Sequence, residues 1–157
     1  SLWTIGSFGI GEESFHPRGT ASDGKALWLA DTNRHRVLRL SLSDGKLLAS
    51  VGARGGGAGQ LCFPTGLALA GATLAVTDTS NDRVVLLDAH AMRWRASFGQ
   101  HGSAPGQFNH PCGCAVLPGA DGAVQLLVAD AFNHRLQLFT LGGGSSGRKV
   151  PPPPPLP

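Results

Sequence analysis

Residues 125–139 read "QLLVADAFNHRLQLF". Two short apolar runs flank a polar corner, and Asp130, His134 and Arg135 crowd into that corner. In isolation such a trio has the makings of a catalytic cluster. The pattern occurs twice more, as "ALWLADTNRHRVLRL" (26–40) and "TLAVTDTSNDRVVLL" (73–87). Each copy places an Arg five residues after an Asp: Asp31/Arg36, Asp78/Arg83 and Asp130/Arg135. A catalytic site is ordinarily unique in a chain, whereas a structural device recurs with its unit. The pairs are therefore read as corner clamps, the Asp accepting turn amides and the Arg side chain across the loop. At a partly exposed corner each would contribute ~0.5–1 kcal/mol.

Upstream of the corners lie "HPRGTAS", "FPTGLAL" and "HPCGCAV", whose prolines, Pro17, Pro64 and Pro111, stand 47 residues apart in each step. The third copy is lengthened in one loop by "LPGADGA" (117–123). Between copies run "SVGARGGGAGQLCFP" and "SFGQHGSAPGQFNHP", and "TIGSFGIGEESFHP" is a shorter form of the same spacer. A period of this length suits a four-stranded unit. Strand A follows the Pro-x-Gly, strand B ends in the Asp, strand C starts at the Arg, and strand D is "KLLASVG" or "RWRASFG". Asp23-Gly24, Asp44-Gly45 and Asp121-Gly122 mark hairpin turns. No helical period persists. The runs "LWLA", "VVLL" and "QLLVA" are apolar on both faces, so both faces of each sheet must be covered. Four-stranded sheets stacked radially as propeller blades satisfy this.

The 157 residues are 41% hydrophobic, enough for one modest domain with a core, and 15% charged. The net charge of +3 is too mild to prove nucleic-acid binding. An odd set of cysteines, Cys62, Cys112 and Cys114, argues against a disulfide framework or a four-ligand zinc site, and buried reduced thiols are expected. No apolar run approaches the ~20 residues of a membrane span, and no signal pattern opens the chain. These features point to an intracellular, cytoplasmic protein with no membrane partner. The absence of an initial Met means either that it was removed or that the chain is a piece of something longer.

From Gly106 to Phe139 the text "GQFNHPCGCAV…LLVADAFNHRLQLF" resembles the NHL repeat. Asn133-His134-Arg135 occupies the eponymous place; the second copy has Asn81-Asp82-Arg83, and the first Arg34-His35-Arg36 with its Asn displaced to Asn33. The resemblance implies an all-β fold, a β-propeller of NHL type built from three four-stranded antiparallel blades. The repeats run about 14–60, 61–107 and 108–141, with 1–6 a leading outer strand and 142–157 a disordered Gly/Ser linker and polyproline tail. Six blades need roughly 280 residues, so the chain is either a fragment of a larger propeller or half of a ring. In the second case it is expected to form a homodimer in which residues 1–6 complete the partner's third blade.

The amidating lyases that share NHL-type repeats bind zinc through His and use a catalytic Tyr. This chain has no Tyr, and Gly rather than His follows Pro64-Thr65. The related sugar-lactone hydrolases need a carboxylate metal cage, and the only Glu residues are Glu12 and Glu13. His16 and His110 precede strand-A prolines near the expected central channel, where histidines can meet on a metal. They are read instead as solvated loop residues. No catalytic residue, metal site or cofactor is assigned, and the protein is read as not an enzyme. The Gly runs at 52–59 and 142–147 lack the ending of a phosphate loop.

Residues that do not recur are better functional candidates. Arg18, Arg34, Arg54 and Phe132 are placed in loops, where an Arg beside an exposed aromatic is hot-spot chemistry for proteins and stacking chemistry for RNA. The tail "RKVPPPPPLP" must be extended polyproline II, and Pro154, Pro155, Leu156 and Pro157 resemble a WW-domain ligand. The expected function is a non-catalytic interaction module with a protein partner. RNA binding, as in propellers of tripartite-motif ubiquitin ligases, is the alternative, and a lyase or lactonase enzyme the third.

Overall fold

A computed structural model describes residues 16–119 and 123–141. Among these residues eleven strands form three antiparallel sheets in chain order. Blade one contains β1 (Pro17–Ser22), β2 (Ala26–Asp31), β3 (Arg36–Ser41) and β4 (Leu47–Val51). Blade two contains β5 (Pro64–Ala70), β6 (Thr73–Asp78), β7 (Arg83–Asp88) and β8 (Arg93–Phe98). Blade three contains β9 (Pro111–Pro118), β10 (Val124–Asp130) and β11 (Arg135–Leu141). Each sheet is a meander, as the Asp-Gly turns and short connections require. The third sheet has three strands among the described residues, where four were expected. Residues 1–6, the Asp121-Gly122 turn, and the linker and tail at 142–157 lie outside the described residues. No helix among the described residues is long and apolar enough to cross a membrane.

The hairpin at Asp23 shows why these turns form. Its Oδ1 accepts the N–H groups of Lys25 and Ala26 at 2.8 and 2.7 Å, and Gly24 takes φ 85°, a region closed to most side chains. Between β7 and β8 the same work falls to Asp88, which accepts the N–H groups of His90 and Ala91 at 3.1 and 2.8 Å. Those bonds and the Arg95 guanidinium hold the Asp88 carboxyl down at about 2.

The two-faced apolar strands are covered by one another. Trp28, Val37, Leu67, Leu74, Val76, Val85 and Leu87 interdigitate between blades one and two. Trp28 is fully buried, and its Nε1 donates to the Ala89 carbonyl of blade two at 2.8 Å. Ala68, Ala75, Val84, Phe108, Leu126, Val128 and Phe139 fill the junction between blades two and three. The innermost strands β1, β5 and β9 touch in succession around a common axis. The glycine of each Pro-x-Gly makes this approach feasible. A Cβ on Gly19 would strike the Thr65 carbonyl oxygen, and one on Gly66 would lie 2.9 Å from the Gly113 Cα and 3.0 Å from the Cys112 oxygen.

Candidate functional site

Each β-strand B to C connection folds the same way. Asp31, Asp78 and Asp130 pair in register with Arg36, Arg83 and Arg135, and one turn of 3-10 helix bridges them. The three carboxylates are fully buried, while the arginines beside them keep 13–28% of their side-chain surface exposed, so each pair is partly exposed on its Arg side alone. Each Asp Oδ2 accepts the Nε of its Arg at 2.8 Å. Nor does the Asp cap its own turn. Oδ1 accepts a backbone N–H from the segment leading into strand A: His16 at 3.0 Å, Cys62 at 2.6 Å and Asn109 at 2.7 Å. Burial opposes ionisation of Asp130, but the Asn109 N–H, Asn133 and Arg135 outweigh it and hold the carboxyl below its ordinary range.

The arginines do more than neutralise the carboxylates. Arg83 donates to the carbonyls of Gly56, Gly57 and Gln60, and Arg135 to those of Ser103, Ala104 and Gln107. Asn81 and Asn133 each bridge the Asp Oδ2 and a spacer carbonyl, Gly55 or Gly102, at 2.7–2.9 Å. The Asn-x-Arg of the repeat thus stitches the spacer loop onto the corner. With donors and acceptors mutually engaged and the carboxylate sealed from solvent, Asp130, Asn133 and Arg135 of "ADAFNHRLQLF" form a fastener, and His134 stands exposed beside them.

The middle residue of Asn-x-Arg has a separate task that the sequence did not disclose. His35, Asp82 and His134 all take left-handed backbone, φ 55°, 51° and 53°. His and Asp tolerate that region better than most residues, which accounts for their interchange. In that pose His35 Nδ1 accepts the N–H of Phe63 at 3.1 Å, and Asp82 Oδ1 accepts the N–H of His110 at 2.7 Å. Each bond ties one blade to the next. Beside it, the Thr32 hydroxyl donates to the Pro64 carbonyl at 2.7 Å, and that of Thr79 to Pro111 at 2.8 Å. Thr32 and Thr79 recur in the sequence directly after the Asp, a signal that would have disclosed this second tie. The third repeat has Ala131 there.

The non-recurring candidates separate. Arg18 lies in β1 and not in a loop; it is exposed, as is Arg54 in the spacer. Arg34 is half-buried in the first 3-10 turn. Phe132 sits in the third such turn, 62% exposed, stacked on His110 with ring centres 4.5 Å apart and planes at 18°. His110 lies in the loop before β9, partly covered by this ring, with its side chain still 44% exposed. One blade earlier Phe63, also exposed, meets the His35 ring edge-on at 4.4 Å. Phe63 and His110 hold φ of 49° and 52° immediately before a proline, which is strained backbone for such side chains. Burial, helped by Arg54, keeps His35 below the usual imidazole range although Asp78 opposes.

Cys62 is half-buried and Cys112 exposed, contrary to the expectation of buried thiols. Cys114 packs at the junction of blades two and three, where burial pushes its thiol up to about 12. Among the described residues no group of three His, Cys, Asp or Glu side chains is placed to hold a metal ion.

Sheets meeting face to face about an axis, innermost strand to innermost strand, define a β-propeller, and solved structures agree. The β-propeller domain of Cps50 (Swd1) from Myceliophteria thermophila matches 89% of this chain with TM-score 0.57 and 15% identity, over 40% of its own length. The RRP9 WD40 repeats match 82% of the chain, with TM-score 0.57 and 15% identity, over 39% of theirs. The dihydro-heme d1 dehydrogenase NirN, in complex with DHE, matches 91% with TM-score 0.57 and 20% identity, over 28% of its length. The chain thus spans well under half the length of these proteins, and the likeness is one of fold. No family profile matches the sequence, and no curated protein does.

Proposed function

We propose that the chain is an NHL-type propeller segment, three blades of a six-bladed plan, that acts without catalysis by binding a protein partner at the corner face. The observation that carries this reading is Phe132. It is the most exposed aromatic ring among the described residues, and it is held against His110, whose own N–H is fixed by Asp82. A large apolar ring immobilised before binding loses little entropy on contact, the property of an interface anchor. Phe63, braced by His35, offers a second ring on the same side of the blades. The recurring Asp and Arg residues are consumed by the fold, which supports a non-catalytic role. The polyproline segment Pro154–Pro157 would recruit a second, groove-bearing domain. An intracellular setting agrees with the reduced cysteines.

The test is quantitative capture of partners by wild-type and Phe132→Ala chains, with Leu48→Ala on β4 as control. Loss of the same partner from the Phe132 variant alone supports the reading; equal capture by all three rejects it. The exposed Arg18 and Arg54 favour RNA as a second reading. A salt-dependent shift of single-stranded RNA, abolished in Arg18→Ala/Arg54→Ala, would replace the protein partner with RNA.

A further inference from the structure

The spacer between blades one and two, "GARGGGAG" (52–59), is built on the same plan as the next, "GQHGSAPG" (99–106). Arg54 bridges to Leu61 as His101 does to Phe108. Arg83 holds the Gly56 and Gly57 carbonyls as Arg135 holds those of Ser103 and Ala104. Some of the glycines serve the fold. Gly59 and Gly106 take φ of 77° and 79°, and a Cβ on Gly55 or Gly102 would strike the carboxamide of Gln60 or Gln107. Gly56 and Gly57 have no such duty. Neither is at positive φ, and Ser103 and Ala104 fill their places in the next spacer. Ala104 even keeps the bond of Gly57, its N–H donating to a Gln Oε1 at 3.1 Å against 2.9 Å. Two glycines beyond what the fold requires therefore stand beside Arg54. Its side chain is exposed, and among the described residues none holds its guanidinium by a hydrogen bond or an ion pair. The reason is local. His101, in the same place, lies 2.9 Å from Asp82, whereas Arg54 meets His35, which offers a cation no carboxylate.

We propose that Arg54 is a methylation site, taking methyl groups from a sulfonium donor of the S-adenosylmethionine class in the active site of an arginine methyltransferase. An Nη nitrogen attacks the methyl carbon, and the N–C bond forms as the C–S bond breaks. Sulfur keeps the electron pair and leaves as a thioether, and one N–H proton passes to a base of that enzyme. The guanidinium keeps its charge but loses a hydrogen-bond donor. An enzyme pocket that engulfs a guanidinium is obstructed by bulky flanking side chains, and from 52 to 59 Arg54 has only Gly and Ala beside it. The other exposed arginines lack this setting. Arg18 also precedes a glycine, but it lies in β1, where a Cβ on Gly19 would strike the Thr65 carbonyl oxygen of β5, so the flanking chain is packed. Arg93 precedes the bulky Trp94 in β8. The site does not involve Phe132, and the proposal stands apart from the partner reading.

The experiment incubates the native full chain with S-adenosylmethionine and an arginine methyltransferase that acts on Gly-flanked arginine, followed by peptide mass spectrometry. One or two methyl groups are expected on Arg54, with Arg18 and Arg93 unmodified. Arg54→Lys is expected to abolish the label in that peptide. Gly56→Ser/Gly57→Ala, which copies the next spacer, is expected to keep the wild-type circular dichroism spectrum and to accept methyl groups at Arg54 at least ~10-fold more slowly. Should the double variant fail to fold, Gly56→Ser alone is held to the same comparison, since a Cβ there meets nothing nearer than Asn81 Oδ1 at 3.6 Å. The proposal is overturned by a native Arg54 that stays unmodified or is labelled only after denaturation. Equal labelling of Arg18, label confined to Arg148, or a wild-type rate in the glycine variants overturns it as well.

Discussion

The Nδ1 atom of His35 accepts the backbone N–H of Phe63 at 3.1 Å, joining the corner of blade one to the strand that begins blade two. The bond demands an unprotonated Nδ1. The left-handed backbone of His35 aims the ring at Phe63, and burial with Arg54 nearby disfavours its charged form. At the next junction Asp82 performs the same role toward His110 with a carboxylate.

A pH dependence follows. The folded pKa of His35 lies below its unfolded value of about 6.5. Its contribution to stability is complete above that value and is lost as pH falls through it towards the folded pKa, because the unfolded chain takes up the proton first. Urea unfolding of wild type should show this decline below neutrality. His35→Asp, which copies blade two, should keep the junction bond and flatten the step. An unchanged pH profile in the variant would show that the bond contributes nothing.

Arg83→Ala removes the countercharge of a fully buried Asp78 and three bonds to the spacer. The expected loss is about 3–5 kcal/mol, since the uncompensated carboxylate remains buried. Arg83→Lys keeps the charge but not the forked geometry and should lose about 1–3 kcal/mol. Chemical denaturation measures both. Blade three should also weaken in acid. The lowered pKa of Asp130 means that its share of stability is present above the ordinary carboxylate value and lost as pH falls through the folded one.

Gly66→Ala and Gly113→Ala are the same substitution at equivalent places with opposite expectations. The first forces a methyl against the Gly113 Cα at 2.9 Å and the Thr77 hydroxyl at 2.8 Å, and should destabilise by about 1–3 kcal/mol. The second meets nothing closer than 3.9 Å and should stay within about 0.5 kcal/mol of wild type. Calorimetry of the two side by side decides whether close approach at the axis is what the glycines serve.

The cysteines should differ in reactivity. Cys112 is exposed, while the Cys114 thiol, raised to about 12 by burial, stays protonated at mildly alkaline pH. Mass-resolved alkylation of the native protein should label Cys112 and spare Cys114 until denaturant is added. Equal labelling would mean that the junction of blades two and three opens readily.

Strand positions and turns were legible because local chemistry sets them: apolar runs, Asp-Gly turns and an Asp and Arg repeated at fixed spacing. The corner pair is legible in the sequence, but the full burial of its carboxylate is not. Exposure depends on the neighbouring blade and the spacer lying over it, and neither is local. For the same reason the exposure of the Cys112 thiol is not legible in the sequence. A strand A that starts after the Pro-x-Gly leaves Arg18 in a loop, yet β1 begins at that proline.

Recurrence in the sequence by itself determined the blades and separated fastener from functional candidate, since a residue needed once per unit must return with the unit. The tertiary structure alone decided what the returning residues touch. His35, Asp82 and His134 occupy one backbone conformation with different side chains, and only stacking of blade on blade gives the first two an N–H to accept. Leu136 reads as a strand leucine like its counterparts. Its exposure, against the full burial of Val37 and Val84, comes from the face it occupies, because burial belongs to the neighbour as much as to the residue.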